Sequence, residues 1–394
     1  MLFICLLVVP VPAWAQAPPL NEFRSRSYLI HTNLSRDEAR VFGLHMDAVF
    51  AQYEKRFRDF RDRGRSEMPL YLLRTEADYH AFMQSQDIDS SNTGGMFFYT
   101  PRAQGLATWT QGRSRGQTLA VLQHEGFHQF AFNYLGRSLP IWINEGLAQY
   151  FEDAIVVRGK MITGLASEHR ITRVRQALEQ NRAIEFDDLI GISSEQWSQI
   201  LRSDPAKASL LYAQSWSVVF YLIHGENEKY QPAFVQYLKN VSTGRESRKA
   251  MRAAFGTEDL TPLGRRWARF ALRQQPDPIN TAASRMEFLG EALKFIHQRG
   301  EKMPRSIPAL RDNLRSRQFV LTRQSHNMVV EFRSENTELY QYQRNNGSKA
   351  FFKLLEPARD DLLPRITAPG LKPEPTLVWS RDADGQLVQD IEYR

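Results

Sequence analysis

Apolar side chains recur on every side of a helical wheel between Thr118 and Leu135 (Leu119, Val121, Leu122, Phe127, Phe130, Phe132, Leu135), with no proline and one internal glycine. That pattern predicts a buried helix. Gly136 is a natural stop. Arg137, Ser138 and Leu139 form a short connection, and Pro140 suits the first turn of a second helix. A short connection makes the two helices antiparallel neighbours. Upstream, Ser25 to Thr32 alternates as a strand. Arg36 to Phe60 carries Phe42, Met46, Val49, Phe50, Tyr53, Phe57 and Phe60 at helical spacing, a core-packing stripe. Met68 to Leu73 reads as a strand, Glu76 to Met83 as a short helix, and Gly95 to Thr110 as a strand pair around Pro101 to Gly105. A small sheet therefore precedes the helix pair.

After Glu152 the pattern is mostly helical. Ile171, Val174 and Leu178 mark one helix, while Leu189 and Trp197 fall in a less regular segment. Asp204-Pro205 starts a helix that ends near Gly225, and Tyr230 to Val241, Arg245 to Phe255 and Thr261 to Arg273 complete a helical lobe. Gln274 to Pro278 reads as a linker. Ser284 to Arg299 is an amphipathic helix closed by Gly300. Short β runs follow at Phe319–Thr322, Met328–Phe332, Leu339–Gln343 and Ala350–Leu355, with turn chemistry at Asn345-Asn346-Gly347 and Asp384-Gly385. The expected fold class is α+β. It comprises a main unit over 22–273 and a small accessory α+β unit over 284–394.

Length and composition are those of a globular protein of about two domains. Residues 1–17 read as a secretion signal: Leu2 to Val11 is an apolar core, and Ala13-Trp14-Ala15 fits small-x-small cleavage. No Lys or Arg precedes that run, which is too short to span a membrane. No later stretch is long and apolar enough to do so. The only cysteine, Cys5, lies inside it, so the processed chain has no disulfide, which suits a bacterial periplasm or exterior. The net charge of +7 is scattered. Arg56 to Arg65 is interleaved with Asp59 and Asp62, a solvated helix face rather than a nucleic-acid platform.

The candidate chemistry sits on the buried helix. His124 and His128 are four positions apart, a rotation of roughly 400°, so both imidazoles share one face. Zinc takes neutral imidazole nitrogen and carboxylate oxygen, and a catalytic site leaves a position open for water. Glu125 is about 100° round from His124, too far to ligate with both histidines but placed to move a proton. The second helix brings Glu145 toward the pair. His124, His128 and Glu145 are thus the candidate ligands of one Zn2+ per chain, and Glu125 the candidate base. Gln149 and Glu152 lie on the same helix face as Glu145, and either can orient a ligand histidine. His169, His224, His297 and His326 are read as ordinary surface or core histidines.

The run His124-Glu125-Gly126-Phe127-His128 with Asn144-Glu145-Gly146 resembles the gluzincin metallopeptidases, which carry H-E-x-x-H and a glutamate ligand on a following helix. Trp142-Ile143-Asn144-Glu145-Gly146-Leu147-Ala148 with Tyr150 looks most like the one-zinc aminopeptidase branch, although the intervening loop is shorter here. Overall the chain looks like secreted bacterial gluzincins of uncharacterised role. The resemblance covers roughly residues 25 to 272 and implies a zincin-like fold, in which a small mixed sheet roofs the cleft over the zinc helices. It makes His124, His128 and Glu145 the zinc ligands and Glu125 the base. It also makes Tyr212, in Tyr212-Ala213-Gln214-Ser215-Trp216, the oxyanion donor. Gly94-Gly95-Met96-Phe97-Phe98 falls where the aminopeptidases carry G-x-M-E-N, whose glutamate reads a free amine. Phe97 stands there instead, which favours an endopeptidase or a restricted substrate.

Two function classes follow. One is a zinc peptidase of the bacterial envelope or exterior, acting on a peptide or protein, including peptide bridges of the cell wall. The other is a silent zincin scaffold serving as a binding module.

Overall fold

Reciprocal side-chain caps start the first three helices. Ser35 and Glu38 close α1 (Arg36–Arg56), Thr75 and Asp78 close α2 (Glu76–Ser85), and Ser114 and Gln117 close α3 (Arg115–Phe130). Each satisfies backbone N–H groups that a helix start leaves unpaired. The computed structural model describes residues 17–63, 67–91, 93–137, 139–325 and 328–394. The segment read as a secretion signal lies outside them except for Ala17, as do Cys5 and His326.

The helices flank a five-stranded sheet of β1 (Asn21–Arg24), β2 (Leu29–Thr32), β3 (Pro69–Leu73), β4 (Gly95–Tyr99) and β5 (Gln104–Trp109), in the order β1-β2-β3-β5-β4. β2, β3 and β5 are parallel, while β1 and β4 run antiparallel to their neighbours. The strands alternate across two layers. Ile30, Leu70, Leu72 and Leu106 face α1 and α3, whereas Leu73, Phe98, Ala107 and Trp109 pack with Tyr79 and Phe82 of α2. β4 ends the sheet, so one of its edges is open. The strand expected at 25–32 is in fact the pair β1–β2, turned over residues 25–28.

α3 starts earlier than its apolar run, because Ser114 caps it. It ends in a π-helical turn, Ala131–Leu135. Gly136 adopts φ 123° there and donates to the Ala131 carbonyl at 2.9 Å. Pro140 sits one residue outside α4 (Ile141–Glu152), and its carbonyl accepts from Ile143 and Asn144. α4 packs against α3 and against the long α8 (Pro205–Glu228). Gly146 permits that approach: a Cβ there would lie 2.7 Å from the Ser215 carbonyl oxygen. The helical backbone of α8 breaks at Gly225, near its expected end.

Elsewhere the structure departs from the sequence pattern. β6 (Ile155–Val157) and β7 (Lys160–Ile162) form a hairpin in a stretch expected to be helical. Arg158 and Gly159 turn it at φ 50° and 73°. α5 (Glu168–Glu179) and α6 (Phe186–Ile190) follow. α7 (Ser194–Ser203) is a regular, capped helix where an irregular segment was expected, because Trp197 is its only fully buried residue. α9 (Gln231–Ser242), α10 (Ser247–Phe255) and α11 (Thr261–Arg273) complete the lobe.

The Asp277-Pro278 pair read as linker is a helix start. Asp277 caps α12 (Pro278–Gln298), whose proline occupies the first turn. α13 (Ile307–Ser316) follows, then the hairpin β8 (Val320–Ser325) and β9 (Met328–Arg333), and a short pair β10 (Gln341–Gln343) and β11 (Lys349–Phe351). A four-stranded antiparallel sheet ends the chain: β12 (Lys353–Leu355), β13 (Arg365–Thr367), β14 (Pro375–Arg381) and β15 (Leu387–Tyr393). Phe288, Leu289, Leu293, Leu310, Ile366 and Leu377 pack together there, joined by Ile155 and Leu165 from the preceding part of the chain. The architecture is α+β, a small mixed sheet followed by helices. Among the described residues, no helix is long and apolar enough to cross a membrane.

Candidate metal centre

One turn of α3 places the His124 and His128 rings 4.9 Å apart at 79°. α4 carries Glu145 beneath them. Its Oε2 lies 3.4 Å from His124 Nε2 and 3.6 Å from His128 Nε2. Among the described residues this is the only cluster of three donors that could hold a metal ion, with the three atoms within 4.8 Å of one another. Ligand atoms about 2.0–2.1 Å from a tetrahedral ion are roughly 3.3 Å apart, close to the two observed separations. Both are too long for ordinary N–H···O hydrogen bonds, and Glu145 Oε2 is buried without a hydrogen-bond donor. The donor set fits a divalent ion of the zinc type.

The far side of His124 is anchored. Its Nδ1 lies 3.0 Å from Glu152 Oε2, and Arg170 Nη2 donates to the same oxygen at 3.0 Å. Arg170 is fully buried. It also bonds Asp153 at 3.2 Å and the side-chain oxygen of Gln149. Of the two residues expected to orient a histidine, Glu152 meets it, while Gln149 holds the arginine behind. Gln123 ties the same helix ends together: its amide donates to the carbonyls of Phe151, Glu152 and Ala154. Its oxygen therefore accepts from His45 Nε2, at 2.8 Å, which fixes the neutral tautomer of His45.

Glu125 points the other way, toward the sheet. Its Oε2 accepts from the Phe97 N–H at 2.8 Å, so this carboxylate lies against the open edge of β4. The Phe97 ring packs on Phe132 at 5.3 Å. A cavity of about 1510 Å³ takes in His124, Glu125, His128, Glu145 and Gly94 to Met96. Tyr212 also lines it, packed edge-on against Trp197 at 5.1 Å. The far wall comes from the C-terminal part of the chain, through Glu287, Arg323, Phe332, Asp390 and Tyr393. Arg115 bonds Asp390 at 2.8 Å across this boundary.

Charge around the cluster is strongly coupled. Burial alone would depress His124, but Glu145 and Glu152 on its two nitrogens outweigh that and raise it to about 10. His128 is also raised against burial, chiefly by Glu145. Burial opposes the Glu145 charge, yet the two imidazoles hold its carboxyl well below the usual range. The carboxylates around the pair thus favour positive charge between them. His169 and His224 stay outside the cluster. Burial depresses both, to about 3 and about 4. His224 bonds the Tyr150 hydroxyl at 3.0 Å, and His297 is exposed.

Arg170, Asp153 and the His45–Gln123 pair escape a reading of local spacing, since each acts through a partner distant in sequence. The adjacent acids Glu152-Asp153, at the end of an apolar helix, were the one available clue: buried carboxylates need a cation. Residues 118–246, which contain every candidate site residue, match a family model described as a protein of unknown function (DUF1570). No curated protein matches the chain.

Proposed function

We propose that this chain is a zinc-dependent peptidase that cleaves internal peptide bonds and acts in the bacterial envelope or exterior. The convergence of two imidazole nitrogens and the Glu145 oxygen, with Glu125 beside them against an open strand edge, carries this reading. A divalent ion held by His124, His128 and Glu145 supplies Lewis acidity, which polarises a carbonyl and lowers the pKa of water. Glu125 accepts the proton of the attacking water and returns it to the leaving amine. An extended peptide pairs by backbone hydrogen bonds with the β4 edge, beside Phe97, whose own N–H is held by Glu125. Tyr212 is the donor proposed for the developing oxyanion. Phe97 offers no carboxylate to a substrate's free amine, which supports cleavage within a chain.

Digestion of a peptide library by zinc-loaded protein tests this. Internal cleavage is expected, stopped by chelation and by Glu125→Gln with the metal retained. Full activity in Glu125→Gln would remove that residue from the mechanism. Stoichiometric zinc without turnover would favour the silent scaffold instead.

A further inference from the structure

Three arginines line the cavity, and two of them are paired by the C-terminal wall: Arg115 with Asp390 and Arg323 with Glu287. Arg113 has no carboxylate partner among the described residues. The acid whose charge reaches it, Glu76, is exposed and turned toward His80 at 3.7 Å. Arg113 is nevertheless held in place. Its guanidinium carbon lies 3.5 Å from the centre of the Trp109 ring, and Nη1 donates to the Gly94 carbonyl at 2.6 Å and to Thr108 Oγ1 at 3.2 Å. Burial lowers its pKa to about 10, so it stays charged at neutral pH. A fixed, half-buried cation with no carboxylate in ion-pair contact among the described residues is costly, and its rigid planar fork is the shape that a carboxylate fills.

Its position relative to the candidate chemistry follows from the strand. Gly94, which Arg113 grips, lies three residues before Phe97, whose N–H meets Glu125. At about 3.3 Å per residue that is roughly 10 Å, the span of three residues of an extended peptide running beside β4. Resting on the peptidase reading above, we propose that Arg113 is a carboxylate-binding subsite of the cleft. It takes a substrate carboxylate, from a chain terminus or an acidic side chain, about three residues from the bond presented to Glu125.

Binding and cleavage separate this idea from the reading beneath it. Synthetic hexapeptides are prepared in matched forms: a free C-terminal acid, an amidated terminus with one Asp or Glu, and a fully neutral sequence. Their affinities for zinc-loaded Glu125→Gln protein are measured by calorimetry. One acidic form is expected to bind at least about tenfold tighter than its neutral match, and which form does so identifies the carboxylate's source. Arg113→Gln in the same background should bring that ratio near one, and Arg113→Lys, with charge but no fork, should fall between. The ratio in the parent protein stands even if Arg113→Gln misfolds. Equal affinity for acidic and neutral forms, absence of binding, or a preference that survives Arg113→Gln overturns the subsite. Preference without cleavage by the wild-type protein leaves the subsite standing and sinks the peptidase reading.

Discussion

Replacing Arg170 with methionine keeps an unbranched apolar stem and removes the guanidinium charge. Arg170 is 0% exposed and bridges Glu152 and Asp153. Both acids are themselves almost wholly buried, at 6% and 9% side-chain exposure. Removing one partner from such a group leaves uncompensated buried charge, and the loss of stability should be about 3–5 kcal/mol. A second effect follows through Glu152. Without its anchor, that carboxylate no longer fixes His124 Nδ1, 3.0 Å away, and affinity for zinc should fall by roughly 10–100-fold. Urea unfolding of the metal-free proteins measures the first effect, and zinc titration against a chromophoric chelator the second. A triple variant, Arg170→Met with Glu152→Gln and Asp153→Asn, removes all the charges together. It should recover much of the stability but not the zinc affinity, because the His124 anchor is still missing. A loss below about 1 kcal/mol in Arg170→Met, with unchanged zinc affinity, would refute this account of the buried network.

Three further outcomes are expected. Burial holds His45 at about 4 despite its bond to Gln123. Its stabilising contribution is therefore complete above the unfolded pKa near 6.5 and lost as pH falls through about 4, roughly 3 kcal/mol in all. Urea midpoints of His45→Gln should fall less steeply than wild type across that window, and parallel curves would contradict the assignment. Gly146→Ala forces a methyl group against the Ser215 carbonyl, so it should destabilise by about 1–3 kcal/mol and weaken zinc binding by shifting Glu145. A neutral result by calorimetry would show that the α4–α8 contact is looser than described. Tyr212→Phe should lower kcat about 100-fold with metal content unchanged if the phenol serves the oxyanion. An unaffected kcat would leave Tyr212 as a packing residue.

The helix carrying the histidines was legible because its chemistry is local. Four-residue spacing puts His124 and His128 on one face whatever surrounds them, and Gly136 stops the helix by its own conformation. Glu145 was legible one step further, because a short connection leaves the second helix few places to go. The support behind them was not. Arg170 reaches Glu152 from the next helix, His45 reaches Gln123 from α1, and no spacing rule links such pairs. Sparse burial hid α7, since one buried tryptophan does not make a visible stripe. The β6–β7 hairpin was hidden by its brevity, although Arg158-Gly159 has turn chemistry. Asp277-Pro278 was ambiguous in kind, because the same pair marks a linker or a helix start, and only the cap bonds to Ile279 and Asn280 decide. That the C-terminal part walls the cavity is a tertiary fact with no sequence trace.

Elemental analysis of metal content per chain, after gel filtration, decides whether His124, His128 and Glu145 hold zinc. Wild type and Glu125→Gln should each retain about one zinc, and Glu145→Ala should retain little, because the third donor is gone. Wild-type protein that fails to take up zinc, or a Glu145→Ala variant that holds it as firmly as wild type, would rule out the three-donor site.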